Sequence, residues 1–200
     1  MRTAAALVRH ELRLFASLLR WAARRPHGVG DGRAFGYARG QGAVMAGFGF
    51  VCAVETFTMS VLLRQWPAAH RVVLVLDLYT LFVVAGLYAA SAVRPHVLYD
   101  DVLRVRRAVH VDLRVPLDRI AAVRRETRTT HERAAGELNL PVGSQTTVTL
   151  ELTGPVTQVT FLGRRREITL IRLHADDARA LAGAVTRART GPSVPRDRPR

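Results

Sequence analysis

Apolar and polar positions divide the chain into three regimes. In the middle, two nearly unbroken apolar runs follow each other, Ala43–Leu63 (AVMAGFGFVCAVETFTMSVLL) and Val72–Val93 (VVLVLDLYTLFVVAGLYAASAV), of 21 and 22 residues and without arginine. As a helix each covers roughly 30 Å, the hydrocarbon thickness of a bilayer. The pattern predicts a transmembrane hairpin. Before it, Arg2–Arg24 has a helical period: Arg2, Arg9, Arg13, Arg20 and Arg24 share a narrow stripe, with Leu7, Leu14, Phe15, Leu18, Leu19 and Trp21 on the other side. After Val93 the period drops to two. Alternation over Val102–Arg106, 109–115, Arg119–Thr127, Glu137–Leu140, 147–152, 158–161 and Glu167–Leu173 predicts about seven strands. A closing helix follows, with Asp176 and Asp177 at its start and Leu181, Ala184 and Val185 on its apolar stripe.

The expected fold class is an α+β membrane protein. Its parts are an N-terminal amphipathic helix (1–25), a Gly-rich linker (26–42), the hairpin (43–93), a cytoplasmic β domain (94–189) and a disordered tail (190–200). A sheet this small buries one core only if it curls and the helix plugs it.

The first helix suits the cytoplasmic headgroup layer, with arginines toward anionic lipid and apolar side chains toward the acyl chains. Packing on the cytoplasmic domain of its own chain or of a partner would carry the same pattern. Glu11 projects from the middle of the apolar face. There a carboxylate must be protonated, reach water or meet a protein partner. Glu11, Arg9, Arg13 and Arg20 are the interface candidates of this helix.

The 200-residue chain has a formal net charge of +14, and all 30 of its basic residues are arginine. Nucleic-acid binding is one use of such charge, but aromatic side chains do not interleave with the arginines. Membrane topology is the simpler cause. Eight arginines precede Ala43, Arg64 and Arg71 lie between the runs, and twenty follow Val93. Both termini are therefore expected in the cytoplasm and the 64–71 loop outside, in a multi-pass protein of the cell membrane. The first apolar patch, Ala4–Val8, is cut off by Arg9, His10 and Glu11. It is too short for a signal peptide, so the first run is expected to act as its own insertion signal. Cys52, the single cysteine, lies inside that run and gives no disulfide framework.

Glu55 and Asp77 interrupt the apolar runs. A carboxylate at membrane depth costs at least ~2.5 kcal/mol and marks a functional candidate. Counted along the helices, Glu55 lies about 12 Å and Asp77 about 7 Å below the outer end, so the hairpin can bring them together. Three readings stay open. The carboxylates could bond each other or Thr56, Thr58 and Thr80 and fix the hairpin; they could contact another membrane protein; or they could line a proton or cation pathway in an oligomer. Ala43-xxx-Gly47 and Gly86-xxx-Ala90 offer small residues for close helix contact. Trp66 and Tyr88 are placed to anchor at the two interfaces.

Pro26 ends the first helix, and glycines at 28, 30, 32, 36, 40 and 42 read as a flexible linker. Its GVGDG segment lacks the preceding strand and following lysine of a phosphate-cradling loop. Catalytic signatures fail in turn. His131-Glu132 begins a zinc-protease pattern, but Ala135 stands where the second histidine belongs, and His10-Glu11 fails likewise at Leu14. Ser144 is not flanked as a nucleophile elbow. The seven histidines are scattered without ligand spacing. No enzymatic activity, metal or cofactor is expected.

The segment VRPHVLYDDVLRVRRAVHVDLRVPLDRIAAVRRE resembles the opening of a bacterial pleckstrin-homology-like domain, with Val115, Pro116, Leu117, Ile120 and Val123 at the entry to the next strand. IRLHADDARALAGAV is similar to that family's last strand and capping helix. The likeness covers about Arg94 to Arg189, and with the hairpin the chain resembles actinobacterial two-span proteins bearing such a domain. The resemblance implies a binding or assembly module without chemistry of its own. Eukaryotic relatives often grip phosphoinositides through a long basic loop; here the corresponding turn, near Arg106, Arg107 and Ala108, is short.

Arg104, Arg106, Arg107 and Arg114 on the first hairpin are the remaining interface candidates, with Arg124, Arg125, Arg128 and Arg164–Arg166 as further basic clusters. Beside an inner leaflet they can meet anionic lipid; as solvated strand faces they can pair with Asp100, Asp101, Asp112 and Glu126. The expected function is a membrane protein whose β domain binds a partner or organises an assembly at the cytoplasmic face. Its expected partners are membrane lipids and either a second protein or a further copy of itself. The alternative is an oligomeric proton or cation conductor built on Glu55 and Asp77.

Overall fold

The computed structural model describes residues 2–130, 134–160 and 163–190, with side chains from residue 11 onward. His131, Glu132, Phe161, the tail from residue 191 and the side chain of Arg9 lie outside the described residues. The order is α1 (Arg2–Ala22), β1 (Arg33–Phe35), α2 (Gln41–Leu62), α3 (Pro67–Val93), β2 (His96–Leu98), β3 (Val102–Arg107), β4 (Val111–Pro116), β5 (Ile120–Arg128), β6 (Glu137–Leu140), β7 (Thr146–Val159), β8 (Arg165–Leu173) and α4 (Ala178–Thr190). The fold is α+β.

Both α2 and α3 are long and apolar enough to cross a membrane. Pro67 starts α3 ahead of the apolar run, because the fixed φ of proline suits a first helical turn. Near the turn, His70 Nε2 and Ser60 Oγ lie 3.2 Å apart and tie the two helices. Cys52 is buried against α3, whereas Phe50 and Phe57 are 70% and 73% exposed. Large apolar side chains pointing outward are the reverse of a soluble core helix.

The first helix lies along α3, and its Leu14 also reaches Ala108 and Val109 of the β region. Leu14 is fully buried. Gly86 lets it in: a Cβ there would lie 3.1 Å from Leu14 Cβ. Ala90, Ala108 and Val109 complete this small cluster. Trp21 meets Tyr88 edge-on with ring centroids 5.8 Å apart. Higher up, Tyr79 Oη donates to Glu11 Oε1 at 2.8 Å. These contacts ascend together, so α1 and α3 point the same way. Of the two small-residue pairs, Gly86 and Ala90 thus serve α1, while nothing lies within 4 Å of a Cβ on Gly47.

The β region forms two four-stranded sheets, ordered β1-β2-β3-β4 and β5-β7-β8-β6, antiparallel except for β6 beside β8. Leu103, Val105 and Val115 from one sheet, Val148, Leu150 and Ile171 from the other, and Leu181 and Val185 from α4 share one core. The described residues thus hold eight strands rather than seven. The expected strands at 147–152 and 158–161 are a single strand, β7. Gly154-Pro155 reads as a turn, yet the chain passes through it with a register shift against β8 between Glu151 and Val156. The added strands, β1 and β2, have three residues each, too few to show alternation.

Residues 26–42, expected as a free linker, are woven into the β domain. β1 pairs with β2 from Arg33 opposite Leu98 to Phe35 opposite His96. The glycine at 32 permits this approach, since a Cβ there would fall 2.4 Å from Val97 Cγ1. Tyr37 is buried, and its hydroxyl accepts the Ala108 N–H at 2.7 Å. At the start of α4 the two aspartates divide their tasks. Asp177 Oδ1 accepts the Ala180 N–H at 2.8 Å as the cap, whereas Asp176 Oδ1 accepts the Arg39 N–H at 3.1 Å.

Candidate functional site

Two places concentrate polar chemistry: the apolar helices and the junction where they meet the β domain. Glu55 is exposed on α2, in a row with Val51, Thr58 and Leu62 at spacings of four and three. Such spacing is one continuous helix face. The face packed on α3 is a different one, carrying Cys52 and the half-buried Thr56 and Met59. Asp77 is half-buried, and its Oδ2 is enclosed without a hydrogen-bond partner.

Among the described residues no hydrogen bond or ion pair joins Glu55 to Asp77. Glu55 lies on the exposed side of α2, whereas Asp77 is half-buried. Nor do the threonines satisfy them. Thr56 donates to Cys52 O at 2.9 Å, Thr58 to Val54 O at 2.8 Å and Thr80 to Leu76 O at 2.9 Å, each within its own helix. Glu11 has the Tyr79 hydroxyl as donor.

At the junction, arginines of the first β hairpin take unequal roles. Arg104 grips Asp112 with two hydrogen bonds of 2.6 Å each. Burial opposes ionisation of Asp112, but Arg104 and Arg106 outweigh it and hold the carboxyl below its ordinary range. Arg106 is only 2% exposed. Its guanidinium donates to the carbonyls of His27 and Gly28 at 2.8 and 2.9 Å. Its backbone N–H donates to His96 Nδ1 at 3.1 Å, and His96 Nε2 is 3.0 Å from His174 O. This arrangement requires neutral His96 with its proton on Nε2. Burial pushes its pKa down to about 4. The ring lies 4.8 Å from Tyr37, whose own pKa burial pushes up to about 12. Arg20 reaches His27 and so joins α1 to the same knot.

No protein-family model, curated protein or solved structure matches the chain.

The geometry sorts the candidates by what they touch. Arg20 and Arg106 hold the segment after α1 at the junction, while Arg104 pairs with Asp112 within the β3–β4 hairpin. Arg13 and Arg114 are exposed, as are Arg164, Arg165 and Arg166. Arg124 pairs with Glu151 at 3.1 Å and Arg128 with Glu126 at 2.7 Å, as solvated strand faces do. Arg107 is half-buried and faces α2 and α3. The described residues hold no group of three or more histidines, cysteines or acids able to ligate a metal. Sequence reasoning missed Tyr37, Tyr79 and His96. Their partners are distant in sequence (Ala108, Glu11 and His174), so no local pattern pointed to them.

Proposed function

We propose that this chain is a non-enzymatic integral membrane protein that assembles with a partner helix through Glu55. In this reading α2 and α3 span the bilayer, and the pleckstrin-homology-like β domain stands on the arginine-rich cytoplasmic side. Trp66 and Tyr88 are then roughly 33 Å apart along α3, at the two interfaces of one bilayer. Two sheets sharing a core with a C-terminal helix support the domain assignment.

The observation that carries the reading is the exposed Glu55 carboxylate in a row of outward apolar side chains. In hydrocarbon such a group is costly, and a donor on a neighbouring helix offsets that cost. The partner is accordingly a membrane helix that presents a cation or an N–H or O–H donor at this depth. Conduction would need both carboxylates on one path, whereas Glu55 is exposed and Asp77 half-buried, with no bond between them among the described residues.

Quantitative affinity purification from native membranes tests this. A stoichiometric partner should accompany the wild type and Asp77→Asn and fall at least tenfold with Glu55→Leu, as expected for loss of a hydrogen bond to a charged group. Equal recovery with Glu55→Leu would move the contact elsewhere.

A further inference from the structure

A cavity of about 370 Å3 lies between α2, α3 and the turn from β3 to β4. Its walls change character along its length. Met45 and Phe48 of α2 and Val84 and Leu87 of α3 make an apolar slot, while Arg107 and His110 stand at the β-domain end. Gln41 also lines it, at a helix start with no side-chain cap. Phe48 is half exposed, so the apolar part meets the outside of the helix pair.

Arg107 differs from its neighbours. Arg104 has Asp112, and Arg106 has two carbonyls. Arg107 has no side-chain hydrogen bond or ion pair among the described residues, although it is half-buried. Burial holds its pKa below the ordinary arginine value, and the nearby Tyr37 hydroxyl opposes this without a hydrogen bond to the guanidinium. An unpaired guanidinium at the mouth of an apolar slot asks for an anion carrying an apolar tail.

We infer that this cavity binds one anionic phospholipid, its phosphate on Arg107 and an acyl chain between Phe48 and Leu87. The inference rests on the reading that α2 and α3 span the bilayer, which places the slot at the inner leaflet. Arginine forks match phosphate oxygens, and the negative inner leaflet supplies the ligand at high local concentration. The volume is within the range of small-molecule sites, roughly 300–1,000 Å3.

The test uses the full chain, purified in mild detergent and returned to nanodiscs of phosphatidylglycerol and phosphatidylcholine. Native mass spectrometry then counts retained lipid. Wild type and Arg164→Gln, which removes a remote exposed arginine, should each keep one phosphatidylglycerol. Arg107→Gln and Val84→Phe, which remove the anion contact and fill the slot, should lower retention at least tenfold. Circular dichroism and gel filtration should leave both variants like wild type. Should Val84→Phe misfold, Arg107→Gln decides alone, with Arg107→Lys restoring part of the retention. Equal retention in Arg107→Gln, or none in wild type, overturns the inference. Displacement of the lipid by millimolar inorganic phosphate overturns it too, assigning the site to a free anion. Carbonate extraction separates the two failures: a chain that washes off refutes the membrane reading itself, whereas one that stays without lipid refutes only this site.

Discussion

Arg106 and Gly28 are fitted to each other from two directions. Arg106 Nη2 donates to the Gly28 carbonyl at 2.9 Å, and a Cβ on Gly28 would lie 3.0 Å from that same nitrogen. Gly28 also has a φ of +59°, which glycine adopts without strain. The segment after α1 is therefore sealed onto β3, and helices and β domain meet through a built contact.

Arg106→Met should accordingly cost about 2 kcal/mol, because it takes the charged donor from two part-buried carbonyls, of which Gly28 keeps only the Tyr99 hydroxyl. Gly28→Val should cost about 2 kcal/mol or more through backbone strain and the clash with the guanidinium. Urea titration in detergent, read by fluorescence of Trp21 beside the junction, checks both. An unchanged midpoint for Arg106→Met would remove the contact from the account.

Acid should loosen the same knot. His96 is neutral when folded, with a pKa near 4, against an ordinary 6.5. The unfolded chain therefore binds the extra proton first, and stability falls as pH drops from about 6.5 to about 4. The full effect is about 3 kcal/mol from this residue. Burial lowers His27 and His174 as well, so they act in the same direction. The wild-type unfolding midpoint should decline between pH 7.5 and 4.5, and His96→Gln should flatten that slope. Parallel slopes would contradict the assignment of His96.

Docking of α1 depends on Gly86 and Tyr79. Gly86→Leu should wedge Leu14 away and release the helix, with trypsin cutting at Arg13 and Arg20 at least tenfold faster. Tyr79→Phe should weaken docking by about 1 kcal/mol, the net value of one hydrogen bond. Unaltered cleavage of Gly86→Leu would show that α1 is held elsewhere.

Asp77 makes a prediction of opposite sign. Its Oδ2 is enclosed without a partner, which costs a fold about 1–3 kcal/mol. Asp77→Leu should raise the resistance of the helices to unfolding by sodium dodecyl sulfate by a similar amount. Destabilisation would mean that the carboxylate has a bonding role.

Legibility in the sequence followed the range of each interaction. The apolar runs, the strands that alternate over six or more residues, and the Asp177 cap are local patterns, and their positions were readable. β1 and β2 are shorter than the signal that would reveal them. Gly154-Pro155 looks like a turn because local chemistry does not show that β8 pairs on both sides of it. For Glu55 and Asp77, depth could be counted in residues, but rotation is decided by which faces of α2 and α3 meet. Glycines at 28 and 32 read as looseness, whereas they serve close approach to Arg106 and Val97.

Photocrosslinking in native membranes bears most directly on the central claim. A photoreactive amino acid at Val51 lies on the Glu55 row, and one at Phe57 lies across α2 from it. The account predicts one discrete crosslinked partner from position 51, lost when Glu55→Leu is added, and none from position 57. Equal crosslinking from both positions, or a crosslink at 51 indifferent to Glu55, would contradict it.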